Sequence, residues 1–281
     1  MDWFVAAIVS AVALSGQALF FQQLQRLYPV RVYLTYVWLG AAFVLALIFL
    51  RPADLASIQG NIVPLVVAGL SSWGGIYAYN RAIQLQTNIG YIEAAVALRI
   101  AITYVFSLWA FSAVPDVQRL IGIALIMLGV MAVTGGQTLN LNEFRIGWLR
   151  WALVGAVLFA ALTIAVRYAT DGGVSAEVAT VVVLVVAGLL FLVSCRTDGT
   201  SLRVQRPHWW IVLTAIGFAT VGNAAEFISF ETAPNLAYPS AIDNSRIIIL
   251  YIVGLFLFSE RLQRTKAIGI VVTFVGVILL S

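Results

Sequence analysis

Five ionisable side chains stand inside long apolar runs of this sequence: Glu93, Arg99, Glu226, Asp243 and Arg246. A charge held in hydrocarbon is costly, so such groups normally face a cavity, a ligand or one another. Asp243 and Arg246 are three residues apart, which makes them neighbours on one helical face and able to pair within the helix. Glu93 and Arg99 are six apart, point in different directions, and are each expected to pair across helices. Asn223, Glu226 and Phe230 share one stripe, and Trp73, Tyr77, Asn80, Arg81 and Gln84 share another. Asn244 adjoins Asp243.

Two chemistries fit these residues. In the first they line a polar cavity, where Arg99 and Arg246 meet a carboxylate or phosphate of a ligand. Glu93, Glu226 and Asp243 are then protonatable coupling sites, since burial favours a neutral carboxyl unless a cation stands near. Trp73, Tyr77 and Tyr104 would add stacking or hydroxyl contacts, and Asn80, Asn223 and Asn244 amide contacts. In the second chemistry the arginines neutralise these same carboxylates and hold the chain together. Lone Trp and Tyr residues then belong to an aromatic belt, and Arg81, near a helix end, snorkels to the interface.

The elements that position these groups follow from composition. Of 281 residues, 62% are hydrophobic and 10% charged, against roughly 25% charged in a soluble domain. Mean hydropathy is +1.00. A water-soluble fold of this size cannot hide that much apolar side chain, so lipid is the remaining solvent. Runs long enough to cross a bilayer recur at Trp3–Gln22, Val30–Leu50, Ile62–Ile83, Gly90–Phe111 and Val117–Thr134. They recur again at Gly147–Arg167, Ser175–Cys195, Trp209–Phe230, Tyr238–Phe258 and Thr265–Leu280. The expected fold is all-α, with ten transmembrane helices joined by short connections. Trp3 onward reads as a lasting membrane helix, because no short core with a small-residue cleavage site is visible.

An internal repeat organises the ten spans. Displaced by 147 positions, Tyr91 to Thr134 falls on Tyr238 to Ser281. Arg99 then meets Arg246, Tyr104 meets Tyr251, and Ile121-Gly122-Ile123 meets Ile268-Gly269-Ile270. Gly129-Val130 meets Gly276-Val277, and a displacement of 145 lays Arg51 on Arg196. Apolar residues coincide easily by chance; paired arginines within apolar runs do not. The repeats run over 1–140 and 141–281. Five helices is an odd number, so the second half is expected upside down relative to the first, as in many secondary transporters with midplane sites. Spans 3, 4, 8 and 9 hold most of the buried polar groups, which places the site there. Gly122, Gly129, Gly269 and Gly276 form small-residue stripes suited to close helix packing.

With the N-terminus outside, Arg26, Arg31, Arg145, Arg150, Arg196, Arg203, Arg206, Arg261, Arg264 and Lys266 lie inside, against Arg51, Arg119 and Arg167 outside. That asymmetry predicts both termini on the extracytoplasmic side of the inner membrane. The same placement accounts for the net charge of +4 without a nucleic-acid patch. One Cys (Cys195) and one His (His208) can build neither a disulfide framework nor an N/S metal site. No cofactor and no metal are expected. Intramembrane hydrolysis would want a Ser–His pair or a metal cluster, so an enzyme is disfavoured. A channel is disfavoured by the lack of a filter-like loop. Expected partners are a small-molecule substrate and membrane lipid, the protein acting as a monomer or homodimer. A lipid-handling protein and a membrane receptor or assembly partner are the alternatives to a carrier.

The stretch Phe258-Ser259-Glu260-Arg261-Leu262, followed by Gly269 and Gly276-Val277, resembles the close of the EamA-type repeat of the drug/metabolite transporter superfamily. The two five-helix halves resemble that family over the whole chain. The first half departs from the pattern, with Ala113 where the second has Glu260. Ile102 and Ile249 stand where relatives often carry proline. The resemblance implies export or uptake of a small metabolite such as an amino acid, in a cavity lined by spans 1, 3, 4, 6, 8 and 9. Set against the distantly similar aromatic amino acid exporters, Tyr77 and Arg99 fall near cavity-lining positions. The paired arginines point toward an anionic ligand. On this reading the chain is a secondary transporter working by alternating access, with proton coupling through the buried carboxylates.

Overall fold

The computed structural model describes residues 1–85, 89–134, 146–257 and 263–281, and every regular element among them is helical. The elements are α1 (Trp3–Leu27), α2 (Val30–Phe49), α3 (Asp54–Gly60), α4 (Ile62–Leu85), α5 (Ile89–Val96), α6 (Leu98–Ala110) and α7 (Val117–Thr134). They continue with α8 (Ile146–Asp171), α9 (Ala176–Thr197), α10 (Trp209–Thr232), α11 (Ala237–Asn244), α12 (Arg246–Leu257) and α13 (Arg264–Leu280). Backbone polar groups must be satisfied internally in lipid, which is why such apolar runs fold as helices. Seven spans among the described residues are long and apolar enough to cross a membrane, and Val117–Val133 is a shorter apolar helix. The protein is therefore a multi-span α-helical membrane protein.

Two features depart from the sequence expectation. α3 is a short helix in the connection after α2, where the Arg51-Pro52-Ala53-Asp54 cluster suggested only a break. The fourth and ninth expected spans are each interrupted, between α5 and α6 and between α11 and α12. Neither interruption contains Pro or Gly. Ala97 and Ser245 keep right-handed helical angles (φ −60°, ψ −15° and φ −70°, ψ −12°). After each, the helix tightens by one turn: Ile100 N–H donates to Ala97 O and Ile248 N–H to Ser245 O, both at 2.9 Å. Such short 3₁₀ turns within helices often mark working sites. Displaced by 147, Ala97 falls on Asn244, one residue from Ser245.

The helices group into two compact units, each drawing on both halves of the sequence. The first unit comprises Met1–Trp73 and Ala161–Thr232. In it α1 packs on α10 and α2 on α9. Phe20 stacks on Phe218 with ring centroids 5.8 Å apart, and Trp38 meets Phe191 edge-on at 5.3 Å. Arg167 closes the end of α10: one guanidinium nitrogen donates to the carbonyls of Phe230 (3.0 Å) and Glu231 (2.7 Å). Its Nε reaches Asp171 at 2.9 Å. The last carbonyls of a helix lack intrahelical donors, so this arginine supplies what the backbone cannot. Arg167→Ala is expected to cost about 2 kcal/mol, while Arg167→Lys, which keeps charge but loses the fork, recovers part of it. Thermal unfolding in detergent reads the difference.

The second unit comprises Gly74–Ala160 and Ala233–Ser281. Its central seam is α7 against α13. A Cβ on Gly122 would stand 2.8 Å from Gly276 O, and one on Gly129 only 2.6 Å from Gly269 O. The converse distances, from Gly269 to Gly129 O and from Gly276 to Gly122 O, are both 2.7 Å. Backbones can approach this closely only where no side chain intervenes. Gly122 faces Gly276 and Gly129 faces Gly269, so the two helices run antiparallel. The packing role expected for the four glycines is what the structure gives them.

Candidate functional site

The second unit holds eight of the eleven candidate site residues, joins three of them in one ion cluster, and adds a partner to Glu93 that sequence reasoning missed. Asp243, at the end of α11, is 3% exposed. It is held by Arg99, the second residue of α6, whose Nη2 donates to Asp243 Oδ2. Arg246, the first residue of α12, approaches the other carboxylate oxygen at 3.4 Å. One carboxylate is thus clasped by the two arginines that coincide when the sequence is displaced by 147. Asp243 and Arg246 pair as their spacing suggested, although the break at Ser245 places them in different helices. Arg99 pairs across helices as expected. The Arg246 side chain is 39% exposed, against 11% for Arg99.

Glu93 also reaches across helices, but to a hydroxyl: the Tyr79 O–H donates to Glu93 Oε1. Tyr79 was not among the candidates. It stands two residues from Tyr77 on α4, and nothing in the sequence separates the two. Tyr77 is 52% exposed and meets Trp151 edge-on at 5.9 Å. The apolar wall of the site is Ala82, Ile92, Val96, Trp148 and Ala152, with Tyr79 and Phe159 packed against it. Phe159 presents its ring to the Arg99 guanidinium at 5.7 Å. Apolar walls and an aromatic face leave the charges poorly screened, which strengthens their mutual attraction and their pull on an incoming ion.

Several buried donors near these elements have no hydrogen-bond partner among the described residues: Arg99 Nε, Tyr104 Oη, Asn244 Nδ2 and Tyr251 Oη. Tyr104 and Tyr251 coincide at the same displacement of 147. Buried polar groups in folded proteins are nearly always satisfied, so such a set calls for a water or a ligand group. Asn80 is turned back on its own helix, Nδ2 donating to Ile76 O at 2.8 Å.

Trp73, Asn223 and Glu226 belong to the first unit. Trp73 meets Phe191 at 6.5 Å. Asn223 Nδ2 donates to Ala219 O at 2.8 Å, and Glu226 is half-buried on α10. Arg81 bonds Gln84 at 2.8 Å near the end of α4, in keeping with a snorkelling side chain.

A multi-span helical membrane protein with a buried, arginine-clasped carboxylate is the class that fold and site define. Residues 146–281 match the model of the EamA-like transporter family. That stretch of the chain is similar to this transporter family. The motif Phe258-Ser259-Glu260-Arg261-Leu262 that suggested it, with the expected break at Gly135 to Glu143, lies outside the described residues. A protein of known crystal structure is similar in fold, with a TM-score of 0.73 at 15% identity, over 99% of this chain and 95% of that one. No curated protein matches the sequence.

Proposed function

We propose that the protein is a secondary transporter that moves a small anionic or zwitterionic metabolite, such as an amino acid, across the inner membrane by alternating access. The observation that carries this is the Arg99–Asp243–Arg246 cluster, set where two membrane-spanning segments are interrupted. Two cations share one carboxylate, and the more exposed of them, Arg246, sits at the rim of the cluster. A substrate carboxylate arriving there meets a cation whose countercharge is already divided. Glu93, Asp243 and, in the first unit, Glu226 are the groups through which protons would couple to transport. If uptake into vesicles persists without a pH gradient and with all three neutralised, coupling by them is wrong.

The proposed architecture is ten transmembrane helices in two inverted five-helix repeats, 1–140 and 141–281, with both termini extracytoplasmic. Three observations support it. The family match begins at residue 146, close to the second repeat. The helix interruptions recur one residue out of register. Gly122 and Gly269 are repeat equivalents, as are Gly129 and Gly276, yet the contacts are Gly122–Gly276 and Gly129–Gly269. Equivalent helices that cross antiparallel in this reciprocal way are related by a twofold axis perpendicular to their length. For membrane helices such an axis lies in the membrane plane.

The substrate class is tested by the melting temperature of the purified protein against amino acids, organic acids, phosphorylated metabolites and organic cations. A ligand that binds the folded state raises it by mass action. Carboxylates are expected to stabilise the wild type and to lose their effect in Arg246→Ala. Stabilisation by cations alone would make the arginines purely structural.

A further inference from the structure

We infer that the first unit carries a built site for an anionic phospholipid, separate from the charged cluster of the second unit. A groove of about 400 Å³ lies among α2, α9, α10 and the 198–208 connection, lined by Thr35, Leu39, Phe43, Leu192, Trp209 and Ile216 among others. Its polar hydroxyls are already used. Thr35 donates to Arg31 O at 2.7 Å, and Tyr36, also in the lining, donates to Leu202 O at 2.6 Å. What the groove offers is hydrocarbon. From Thr35 to Phe43 it follows α2 for about 12 Å at 1.5 Å per residue, a length that takes part of an acyl chain. α2, α9 and α10 are all long and apolar enough to cross a membrane, so a groove among them lies at membrane depth.

The charge comes from arginines close in the chain to lining residues: Arg203 follows Leu202, Arg206 precedes Trp209 by three, and Arg196 follows Leu192 by four. Arg196, Arg203 and Arg206 are exposed, and no ion pair engages them among the described residues. The nearby acid, Asp198, is taken by Arg31. The connection that carries Arg203 and Arg206 is strapped down at four places. Leu202 O accepts from Tyr36, Gln205 N–H donates to Tyr28 Oη at 3.0 Å, Tyr28 bonds His208 Nδ1 at 2.7 Å, and Arg31 holds Asp198. A connection of this length would be expected to wander; here the backbone that carries its arginines is held in place, so less ordering entropy is lost on binding. Trp209, in the lining, is the residue type that sits at headgroup depth. A phosphodiester on the arginines with one acyl chain in the groove satisfies both parts at once. Zwitterionic phosphatidylcholine satisfies only the apolar part, and free phosphate only the cationic one.

The test is native mass spectrometry of the full chain in detergent, with phosphatidylglycerol, phosphatidylcholine of matched chains, or glycerol phosphate added, and melting temperature as a second reading. Phosphatidylglycerol is expected to remain bound and to raise the melting temperature; the other two are not. Arg203→Gln/Arg206→Gln should weaken phosphatidylglycerol retention about tenfold or more, at a basic-residue contribution typical of anionic membrane surfaces. Leu192→Trp, which fills the slot, should weaken it with the arginines intact. Equal retention of phosphatidylcholine, an equal shift with glycerol phosphate, or unchanged retention in the double arginine variant would each overturn the proposal. Because these variants leave Arg99, Asp243 and Arg246 untouched, the outcome is independent of the carrier reading.

Discussion

Asp243→Ala is expected to lower stability by about 3–5 kcal/mol, the usual result of stripping one partner from a buried ion pair. The carboxylate is 4% exposed at its side chain and serves both Arg99 and Arg246. Its removal leaves two guanidinium groups facing one another, one of them 11% exposed, with Phe159 as the remaining named partner of Arg99. Arg99→Ala should cost less, because Arg246 still neutralises Asp243 from 3.4 Å. Arg246→Ala should cost least, because its side chain is 39% exposed and its partner keeps Arg99. The order Asp243, Arg99, Arg246 is the prediction, read by thermal unfolding in one detergent. An equal loss in all three would mean that the cluster is not shared in this way. Arg99→Leu/Asp243→Leu is the informative double variant, since well-packed apolar residues often replace a buried pair without loss. It should regain much of the stability lost by Asp243→Ala yet fail to transport. Full transport in the double variant would reduce the cluster to a structural role.

Much of this arrangement was legible in the sequence, for reasons that differ from residue to residue. The span boundaries are set by where apolar runs stop, a signal carried by every residue, and so Val30–Phe49 or Val117–Thr134 could be read within a residue or so. Arg99 and Arg246 stood out because a charge inside an apolar run is improbable without a partner. The partners were harder. Asp243–Arg246 follows from local spacing, but Arg99–Asp243 joins residues 144 positions apart, and no periodicity encodes that distance. Tyr79 was invisible because a tyrosine in a membrane helix suits the interface as well as it suits Glu93. The two interruptions show the same division. At Asp243-Asn244-Ser245 three turn-forming residues stand in a row, and Ser245 Oγ donates to Ile242 O at 2.6 Å. At Ala97 no such signal exists, and Ala favours an unbroken helix. With no local signal at Ala97, sequence reasoning drew one continuous span from Gly90 to Phe111.

The second large effect is expected at a residue with no side chain. In Gly129→Ala the added carbon would lie 2.0 Å from Thr273 Oγ1, 2.6 Å from Gly269 O and 2.8 Å from Thr273 N. The hydroxyl can rotate, at the loss of its 3.0 Å bond to Gly269 O, but the two backbone atoms cannot move without α13 moving. Separating α7 from α13 opens the whole antiparallel seam, so the cost should reach the upper end of the ~1–3 kcal/mol typical of overpacking, or exceed it. Gly217 provides the control: a carbon added there meets nothing within 4 Å. Gly217→Ala, in the interior of α10, should be neutral or stabilising by up to ~1 kcal/mol through helix propensity alone. The proposed repeat sharpens the prediction further. Gly276 is the counterpart of Gly129, and its added carbon would stand 2.7 Å from Gly122 O and 2.8 Å from Ile126 N, again backbone atoms. Gly129→Ala and Gly276→Ala should therefore melt at similar temperatures, both well below Gly217→Ala. Two distant residues losing the same stability for the same geometric reason is what a seam between symmetry-related helices requires. If Gly129→Ala melts with the control, close backbone approach is not what holds α7 to α13, and the reciprocal glycine contacts lose their weight as support for an inverted repeat.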